Sequence, residues 1–334
     1  MKVLSLFDGM SCGQIALNKA GVKYDTYYAS EVDTNAITVT QTNYPNTIQL
    51  GDVTKWGEWD IDWAGIDLVM AGSPCQGFSF AGKQLAFDDP RSALFFEFVL
   101  ILGRVRANNP NVKFLLENVR MKKEFEDIIT MYMGVPPVMI NSNLVSAQNR
   151  VRFYWTNIEG AGVPEDKGIM LKDIVHESVE GNITGLDDFI VPFDKSLQIL
   201  DKEVQRGKVG YFRSDSQANR VYHIHDKAVT LCGSAGGGAA KMGQYLFGCI
   251  TPDRINKRQN GQRFSEGKKF YTLTTQDRHG ILIDGYIRKL TPVECERLQT
   301  VPEGYTDHVS PTQRYRMLGN GWTVDVIVEF FKNL

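Results

Sequence analysis

The first half of the chain alternates short apolar segments with segments of helical spacing, and this alternation restricts the folds open to it. The segments predicted as strands are residues 2–7, 25–30, 66–72, 113–118, 138–145 and 151–157. Segments with the length and apolar spacing of helices lie at residues 12–21, 34–44 and 91–108. Repeated strand, helix and strand predict an α/β fold with a doubly wound, mostly parallel sheet that binds its ligand at the carboxyl ends of the strands.

The second half differs in texture and predicts a second, smaller domain. Glycine becomes dense, as in GSAGGGAA at 233–240, and helical periodicity fades. Such sequence is typical of loops and short strands. We therefore expect a first domain at 1–160, a smaller, loop-rich domain at 161–285, and a helical segment at 286–334 that returns to the first domain.

Cysteine usage and hydropathy both indicate a reducing, cytoplasmic compartment. The five cysteines are scattered, with no CxxC pair, at positions 12, 75, 232, 249 and 295. This pattern argues against a disulfide framework and against a metal site. No apolar stretch approaches the roughly 18 residues of a membrane span, and the amino-terminal segment turns polar too early for a signal peptide. We expect no membrane partner.

The charge of the chain is unevenly distributed. The net charge is −2, but residues 201–283 contain 14 lysines and arginines against 7 acidic residues. A basic region in an otherwise acidic protein fits a surface that binds nucleic acid. A solvated charged surface explains the same count equally well, so charge alone leaves both interpretations open.

The segment FDGMSCG (7–13) leads from the first strand into the first helix, where open α/β sheets bind nucleotide-like ligands. Gly9 and Gly13 would let a ligand approach the backbone, although a plain tight turn explains them as well. Glu31 ends the second strand 22 positions after Gly9, and Asp52 ends the third. An acid at about this offset binds ribose hydroxyls, and the pyrophosphate glycines are missing. The pattern favours S-adenosylmethionine over NAD.

Two candidate catalytic side chains follow the next two strands. Cys75 comes directly after Pro74 in GSPCQG, so its thiol is expected on a shaped loop at the sheet edge; no histidine lies nearby to activate it. Glu117 ends the following strand, where an apolar surround would raise its pKa and make it a proton donor. The alternative is a salt-bridged or capping glutamate. Asn118 would be its neighbouring partner.

Arg150 and Arg152 form a third candidate group. They stand two positions apart in QNRVRFYW, which predicts that they share one face of a strand. They could form an exposed edge with cation–π packing, or hold a carbonyl oxygen and a carboxylate in a fixed fork.

Taken in order, several blocks of the chain resemble the DNA cytosine C5 methyltransferases. The blocks are FDGMSCG, GSPCQGFS, LLENV, QNRVR, RKLTPVECERLQTVPEGY and RYRMLGNGWTV. The resemblance spans nearly all of the chain except roughly 160–285, where that family has its variable target-recognition domain. The catalytic blocks look most like animal de novo DNA methyltransferases, whereas the length and the glycine-rich region look bacterial or phage.

The chain departs from the family pattern at two places. Ser11 and Cys12 stand where two glycines are usual, and Trp322 stands where a small residue is usual. These departures concern the details of the cofactor pocket.

The resemblance implies a covalent mechanism on a cytosine flipped out of double-stranded DNA. Cys75 would add to C6, Glu117 would donate a proton to N3, Arg150 would hold O2, and Arg152 would orient the site. The methyl donor would be S-adenosylmethionine, and a cognate restriction enzyme is a partner that the resemblance allows. The implied cofactor-binding residues are Phe7, Asp8, Gly9, Gly13, Glu31, Val32, Asp52, Val53, Ser73, Pro74, Asn320, Gly321 and Trp322.

Three other functions share part of this sequence pattern. The same chemistry on tRNA would use the same catalytic blocks. A catalytically inactive, DNA-binding regulatory homologue is disfavoured because Cys75, Glu117 and Arg150 are all present. An NAD-dependent oxidoreductase is disfavoured by the missing pyrophosphate glycines.

Overall fold

The computed structural model describes residues 1–73, 93–160, 162–174 and 290–334, and between 190 and 289 the backbone of short strands. The helices are α1 (Cys12–Ala20), α2 (Thr34–Asn43), α3 (Ala93–Asn108), α4 (Lys123–Met133), α5 (Pro292–Leu298), α6 (Pro311–Asn320) and α7 (Val324–Phe331). Within the parts of the chain so described, no helix is both long enough and apolar enough to cross a membrane.

The strands fall into two groups along the chain. The first eight are β1 (Lys2–Leu6), β2 (Thr26–Ser30), β3 (Ile48–Gln49), β4 (Ile66–Gly72), β5 (Lys113–Val119), β6 (Val138–Asn141), β7 (Gln148–Asn149) and β8 (Val151–Thr156). The others are β9 (Ile190–Val191), β10 (Leu197–Val204), β11 (Lys208–Phe212), β12 (Arg220–Tyr222), β13 (Phe270–Tyr271), β14 (Gly280–Ile283) and β15 (Tyr286–Lys289).

Seven strands form the main sheet, in the order β3-β2-β1-β4-β5-β8-β6. Strands β1 to β5 pair in parallel, whereas β8 runs antiparallel to both β5 and β6. The prediction of an α/β fold with a mostly parallel sheet is therefore confirmed. The later strands form two small sheets, β10-β11-β12 and β14-β15-β9, and β13 pairs with β7.

The core lies on both faces of the main sheet because successive side chains of a strand point in opposite directions. In β1, Val3 belongs to one apolar cluster and Leu4 to the other; in β5, Leu115 and Phe114 divide in the same way. Helices α1 and α7 complete the first cluster, and α3 and α4 complete the second. Burial on both faces explains why these strands appear in the sequence as continuous apolar runs.

The return segment (residues 290–334) packs onto the first helix of the chain. The α7 residues Ile327 and Phe330 are fully buried in the cluster that includes α1. At the surface, Asp325 accepts hydrogen bonds from Lys19 and Lys167, at 2.6 and 3.0 Å. Burial opposes ionisation of Asp325, but the two lysines hold its pKa below the ordinary value.

The secondary structure differs from the predictions at two places. The strand predicted at 138–145 ends at Asn141, whose side chain accepts a hydrogen bond from the Asn143 amide and begins a short 3₁₀ turn. Helix α4 was missed altogether. Its buried residues Phe125, Ile129 and Met133 recur every four positions, so the helical periodicity is present in the sequence.

Candidate active site

A cavity of about 390 Å³ opens at the carboxyl ends of β1, β2, β4 and β5 and is closed on one side by the return segment. The predicted site residues that line it are Phe7, Asp8, Gly9, Glu31, Val32, Ser73, Glu117, Arg150, Arg152, Asn320, Gly321 and Trp322. Gly13, Asp52 and Val53 do not line it, and Pro74 and Cys75 lie outside the described residues. Sequence reasoning missed Asp33 and Met317, which also line the cavity.

The loop after β1 has an unusual backbone on the cavity wall. Phe7, Gly9 and Ser11 have φ angles of 56°, 58° and 62°, in the left-handed region that only glycine adopts without strain. A Cβ placed on Gly9 would meet no atom within 4 Å, so the backbone here faces open space. Ser11 stands where the family pattern has glycine. Its side chain is buried, and Ser11 Oγ accepts a hydrogen bond from Gln14 Nε2 at 2.9 Å.

Gly13 has a role different from the one expected. It was predicted to let a ligand approach the backbone, but a Cβ there would lie 2.4 Å from Met70 Cε and 2.8 Å from the Tyr27 hydroxyl. The missing side chain therefore allows α1 to pack closely against the sheet. The cofactor contact predicted at Gly13 stays a prediction, and close packing against Met70 and Tyr27 is the reason for glycine that the structure shows.

The Glu31 carboxylate is held rigidly at the end of β2. Oε2 accepts a hydrogen bond from the Gly9 amide at 2.8 Å, and Oε1 accepts from the amides of Val32 and Asp33 at 2.7 and 2.8 Å. A carboxylate has about four acceptor positions, so about one position remains for a hydroxyl donor from a ligand. The side chain of Val32 is 68% exposed beside it, which gives the cavity an apolar lip.

Asp52 serves as a helix cap in this structure. Strand β3 ends at Gln49, three residues before Asp52. The Asp52 carboxylate accepts hydrogen bonds from the Thr54 amide and hydroxyl, each at 2.9 Å, and these bonds lower its pKa. The third-strand acid was expected in the cofactor site because β3 was expected to run up to it.

Asp8 is an acidic group of the cavity wall with a buried carboxylate oxygen. Its Oδ1 accepts a hydrogen bond from the Tyr27 hydroxyl at 2.7 Å, while Oδ2 is buried and has no partner among the residues that the structure describes. Burial raises the pKa of Asp8 to about 6, against the effect of hydrogen bonds from Ser5, Tyr27 and Ser11.

Glu117 forms an ion pair, which corrects the expected apolar surround. Its Oε1 lies 2.9 Å from Arg152 Nε, and both side chains are largely buried. The strand register explains this contact: Glu117 faces Tyr154 across β5 and β8, which places Arg152 diagonally beside it. The salt-bridged alternative named for this glutamate is the one that the structure contains.

Asn118 contacts Ser73 instead of the Glu117 carboxylate. Its Nδ2 donates a hydrogen bond to Ser73 Oγ at 3.0 Å, and its Oδ1 accepts from the Val119 amide at 2.8 Å. These bonds tie the end of β4 to the end of β5. Ser73 directly precedes Pro74, so the hydrogen bond from Asn118 fixes the backbone position immediately before the predicted nucleophile loop.

Arg150 lies between β7 and β8, two positions before Arg152, and both side chains line the cavity. Its guanidinium is buried, with the residue 3% exposed. Nη1 donates to the Gly319 carbonyl at 3.1 Å and Nη2 donates to the Gly321 carbonyl at 2.9 Å. Arg150 therefore connects the segment between β7 and β8 to the return segment.

The Cys12 thiol lies on the cavity wall, and its chemistry argues against a nucleophilic role. It is buried, and burial raises the pKa of its thiol to about 12. Because the thiolate is the nucleophilic form, this thiol is inert near neutral pH.

Trp322 packs against the end of β4, which is made possible by Gly72. A Cβ on Gly72 would lie 2.8 Å from Trp322 Nε1 and 3.5 Å from Glu117 Oε2. The departure from the family pattern at Trp322 is thus matched by the absence of a side chain at Gly72.

Gly72→Ala is expected to cost about 1–3 kcal/mol of unfolding free energy, because the new methyl group overlaps the Trp322 indole. Thermal unfolding measures this loss. Gly103→Ala in α3 is the matched control: a Cβ there meets no atom within 4 Å, and alanine favours a helix by about 1 kcal/mol. A Gly72→Ala protein as stable as the original would contradict the contact.

A model of the family C-5 cytosine-specific DNA methylase matches residues 1–334. The type II methyltransferase M.HhaI of Haemophilus parahaemolyticus is 27% identical, over 98% of this chain and 92% of its own. The orphan methyltransferase M.SPRI of Bacillus phage SPR is 26% identical, over 100% and 97%. The structure of the Entamoeba histolytica methyltransferase EhMeth shares the fold, with a TM-score of 0.62 and 14% identity over 98% and 96%. The chain therefore belongs to the C-5 cytosine-specific DNA methylase family.

Proposed function

We propose that this protein transfers a methyl group from S-adenosylmethionine to C5 of a cytosine flipped out of double-stranded DNA. One observation carries the proposal: a single cavity contains the Glu31 carboxylate at the end of β2 and the Glu117–Arg152 pair at the end of β5. Three strand spacings separate these ends, about 14 Å. That separation accommodates a nucleoside-sized cofactor at one end and a base at the other.

The residues present fit S-adenosylmethionine. The remaining acceptor position of Glu31 suits a ribose hydroxyl, and Phe7 and Val32 offer apolar surface to the purine. When bound, this cofactor supplies an electrophilic methyl group. Asn320 and Gly321 would close the cavity over it from the return segment.

The chemistry on cytosine needs a nucleophile and a proton donor, because C5 alone is too weak a nucleophile. The Cys75 thiolate would form a bond to C6 while Glu117 donates a proton to N3, which makes C5 enamine-like. After C5 has gained the methyl group, a base such as solvent water would take the C5 proton, the C6–S bond would break to release the Cys75 thiolate, and N3 would return its proton to Glu117. Arg152, bound to the Glu117 carboxylate, would keep that acid in position. The O2 contact expected of Arg150 stays a prediction.

The DNA contacts are expected mainly outside the described residues. The basic stretch at 201–283 would meet phosphates and base edges, and the cytosine must leave the helix stack at a cost of a few kcal/mol. We also propose that the protein methylates cytosine within one recognised DNA sequence, and that a cognate restriction enzyme cuts the same sequence when it is unmethylated.

Methyl transfer to duplex DNA and to tRNA, measured side by side, tests the substrate. We expect labelled methyl groups on duplex DNA, and bisulfite sequencing should place them on cytosines in one sequence context. Activity confined to tRNA would favour the alternative substrate. Cofactor binding without transfer to either nucleic acid would favour the inactive regulatory homologue.

Glu31→Ala is expected to weaken S-adenosylmethionine binding by about 10- to 100-fold, because hydrogen bonds to a charged acceptor are lost. Isothermal titration without DNA measures the change. Glu159→Ala is the control, since Glu159 is exposed and follows β8 at the opposite edge of the sheet. Unchanged affinity in Glu31→Ala would refute the ribose contact.

A further inference from the structure

We propose that Arg150 is a positioning residue that holds the cofactor-side wall of the cavity, so that S-adenosylmethionine binding depends on it even without DNA. The inference rests on the proposed function, because it names the same cofactor. It departs from the role that family resemblance implies for this arginine, a contact with the flipped base.

The wall in question is the end of helix α6. The last carbonyl groups of a helix have no partners within it, and they carry the negative end of the helix dipole. Here the Met317 carbonyl accepts from the Gly321 amide at 2.7 Å, and the Leu318 carbonyl accepts from Gln299 Nε2 at 2.5 Å. Arg150 supplies donors to the next carbonyl, that of Gly319, and to that of Gly321.

The planar guanidinium suits this position. Its two terminal nitrogens form a fixed fork, and the carbonyls of Gly319 and Gly321 lie 3.1 and 2.9 Å from them. The positive charge also faces the carboxyl end of α6, where a cation is stabilising. Arg150 is 3% exposed, so water cannot readily replace these bonds.

The arginine is one of three alternating residues that bind the return segment. Ser146 Oγ donates to the Leu298 carbonyl at 2.5 Å, and Gln148 Nε2 donates to Gln299 Oε1 at 3.1 Å. Together with Arg150, these side chains hold residues 146–150 against the carboxyl ends of both α5 and α6. The fourth alternating residue, Arg152, binds Glu117 instead.

This arrangement links two parts of the cavity. Residues 319–322 line it on the side assigned to the cofactor, and Arg152, two positions after Arg150, holds the acid assigned to the base. If Arg150 is lost, the Gly319 and Gly321 carbonyls lose buried charged donors, and the turn at 319–322 is then held from this side by Gln299, whose Nε2 donates to the Gly321 carbonyl at 3.3 Å. The wall should then be less well formed before any DNA is present.

The test is calorimetric titration of S-adenosylmethionine into the DNA-free, full-length protein. We expect binding to weaken about 10-fold in Arg150→Lys, whose ammonium can reach one carbonyl but not fork across two, and about 100-fold in Arg150→Met. With duplex DNA, the Lys variant should show a raised KM for S-adenosylmethionine, while kcat at saturating cofactor stays within about threefold of the original.

The chain offers two matched controls. Arg106 also caps a helix, since its Nη2 donates to the Met133 carbonyl at the end of α4, away from the cavity. Arg106→Met should therefore leave cofactor affinity unchanged. Arg152→Lys should leave DNA-free cofactor affinity near the original while methyl transfer falls.

The outcomes separate the two roles of Arg150. The proposal would be overturned if DNA-free Arg150→Lys bound S-adenosylmethionine as tightly as the original protein and its kcat fell. Arg150 would then be assigned to a contact with the flipped base. If Arg150→Met does not fold, the Lys variant alone decides by the same two readouts. If the unaltered protein binds no S-adenosylmethionine, the proposed function itself is wrong. This failure is detected with the unaltered protein alone, so it is distinguishable from failure of the Arg150 proposal.

Discussion

Cys75→Ala is expected to reduce methyl transfer by at least about a thousandfold, because the reaction loses the nucleophile that activates C5. The same change should abolish the covalent adduct that we expect between the protein and duplex DNA containing 5-fluorocytosine, since fluorine at C5 prevents release of the cysteine. The adduct appears as a shifted band on a denaturing gel. Cofactor affinity without DNA should remain within a few fold.

Cys295→Ala is the control for loss of a thiol. Cys295 is buried in α5, outside the cavity, and burial holds its pKa well above the ordinary value. Its replacement should lower stability through lost packing but leave the adduct intact. An adduct that persists in Cys75→Ala would refute the assignment of the nucleophile, and an adduct lost in Cys295→Ala would show that the gel reports folding instead.

The location of the site could be predicted from the sequence because it depends on topology. Parallel strands end at one edge of a sheet, and the apolar runs of the first half show where each strand ends. Glu31, Ser73 and Glu117 each follow or end such a run, and the structure brings all three to the same cavity. No knowledge of side-chain contacts was needed for this step.

The partners of the site residues could not be predicted, because they depend on strand register and on contacts between distant segments. Glu117 meets Arg152 only because β8 is antiparallel to β5 with Val119 opposite Arg152. Arg150 reaches carbonyls 169 and 171 residues further along the chain. The two-residue spacing of the arginines predicts only that they share a strand face. It contains no information about the contact between Arg150 and the end of α6.

Two single residues have structural contacts that local sequence could not reveal. Asp52 was assigned to the site on the assumption that β3 extends to it, but pairing in β3 stops at Gln49 and the acid caps a turn. Gly13 was assigned by analogy with ligand-facing glycines, whereas its neighbours Met70 and Tyr27 come from other strands. In each case, a residue type has two common uses, and only the fold decides between them.

Glu117→Gln is expected to lower the rate of methyl transfer by about 10²- to 10⁴-fold, because the amide keeps the shape of the side chain but cannot protonate N3. Single-turnover methyl transfer on duplex DNA measures the chemical step directly. Cofactor affinity should change little, since Glu31 lies three strands away. Glu126→Gln is the matched control: it also removes a paired glutamate, bound to Lys123 on α4 outside the cavity.

Arg152→Lys distinguishes the two uses of Glu117, as proton donor and as member of an ion pair. If Glu117 acts mainly as a structural partner, Glu117→Gln and Arg152→Lys should destabilise the fold to a similar extent and slow methyl transfer equally. If it is the donor, Glu117→Gln should be much slower than Arg152→Lys at equal stability, because a lysine ammonium can still hold the carboxylate near N3. A single-turnover rate in Glu117→Gln equal to that of the original protein would remove Glu117 from the chemistry and leave the ion pair as its only role.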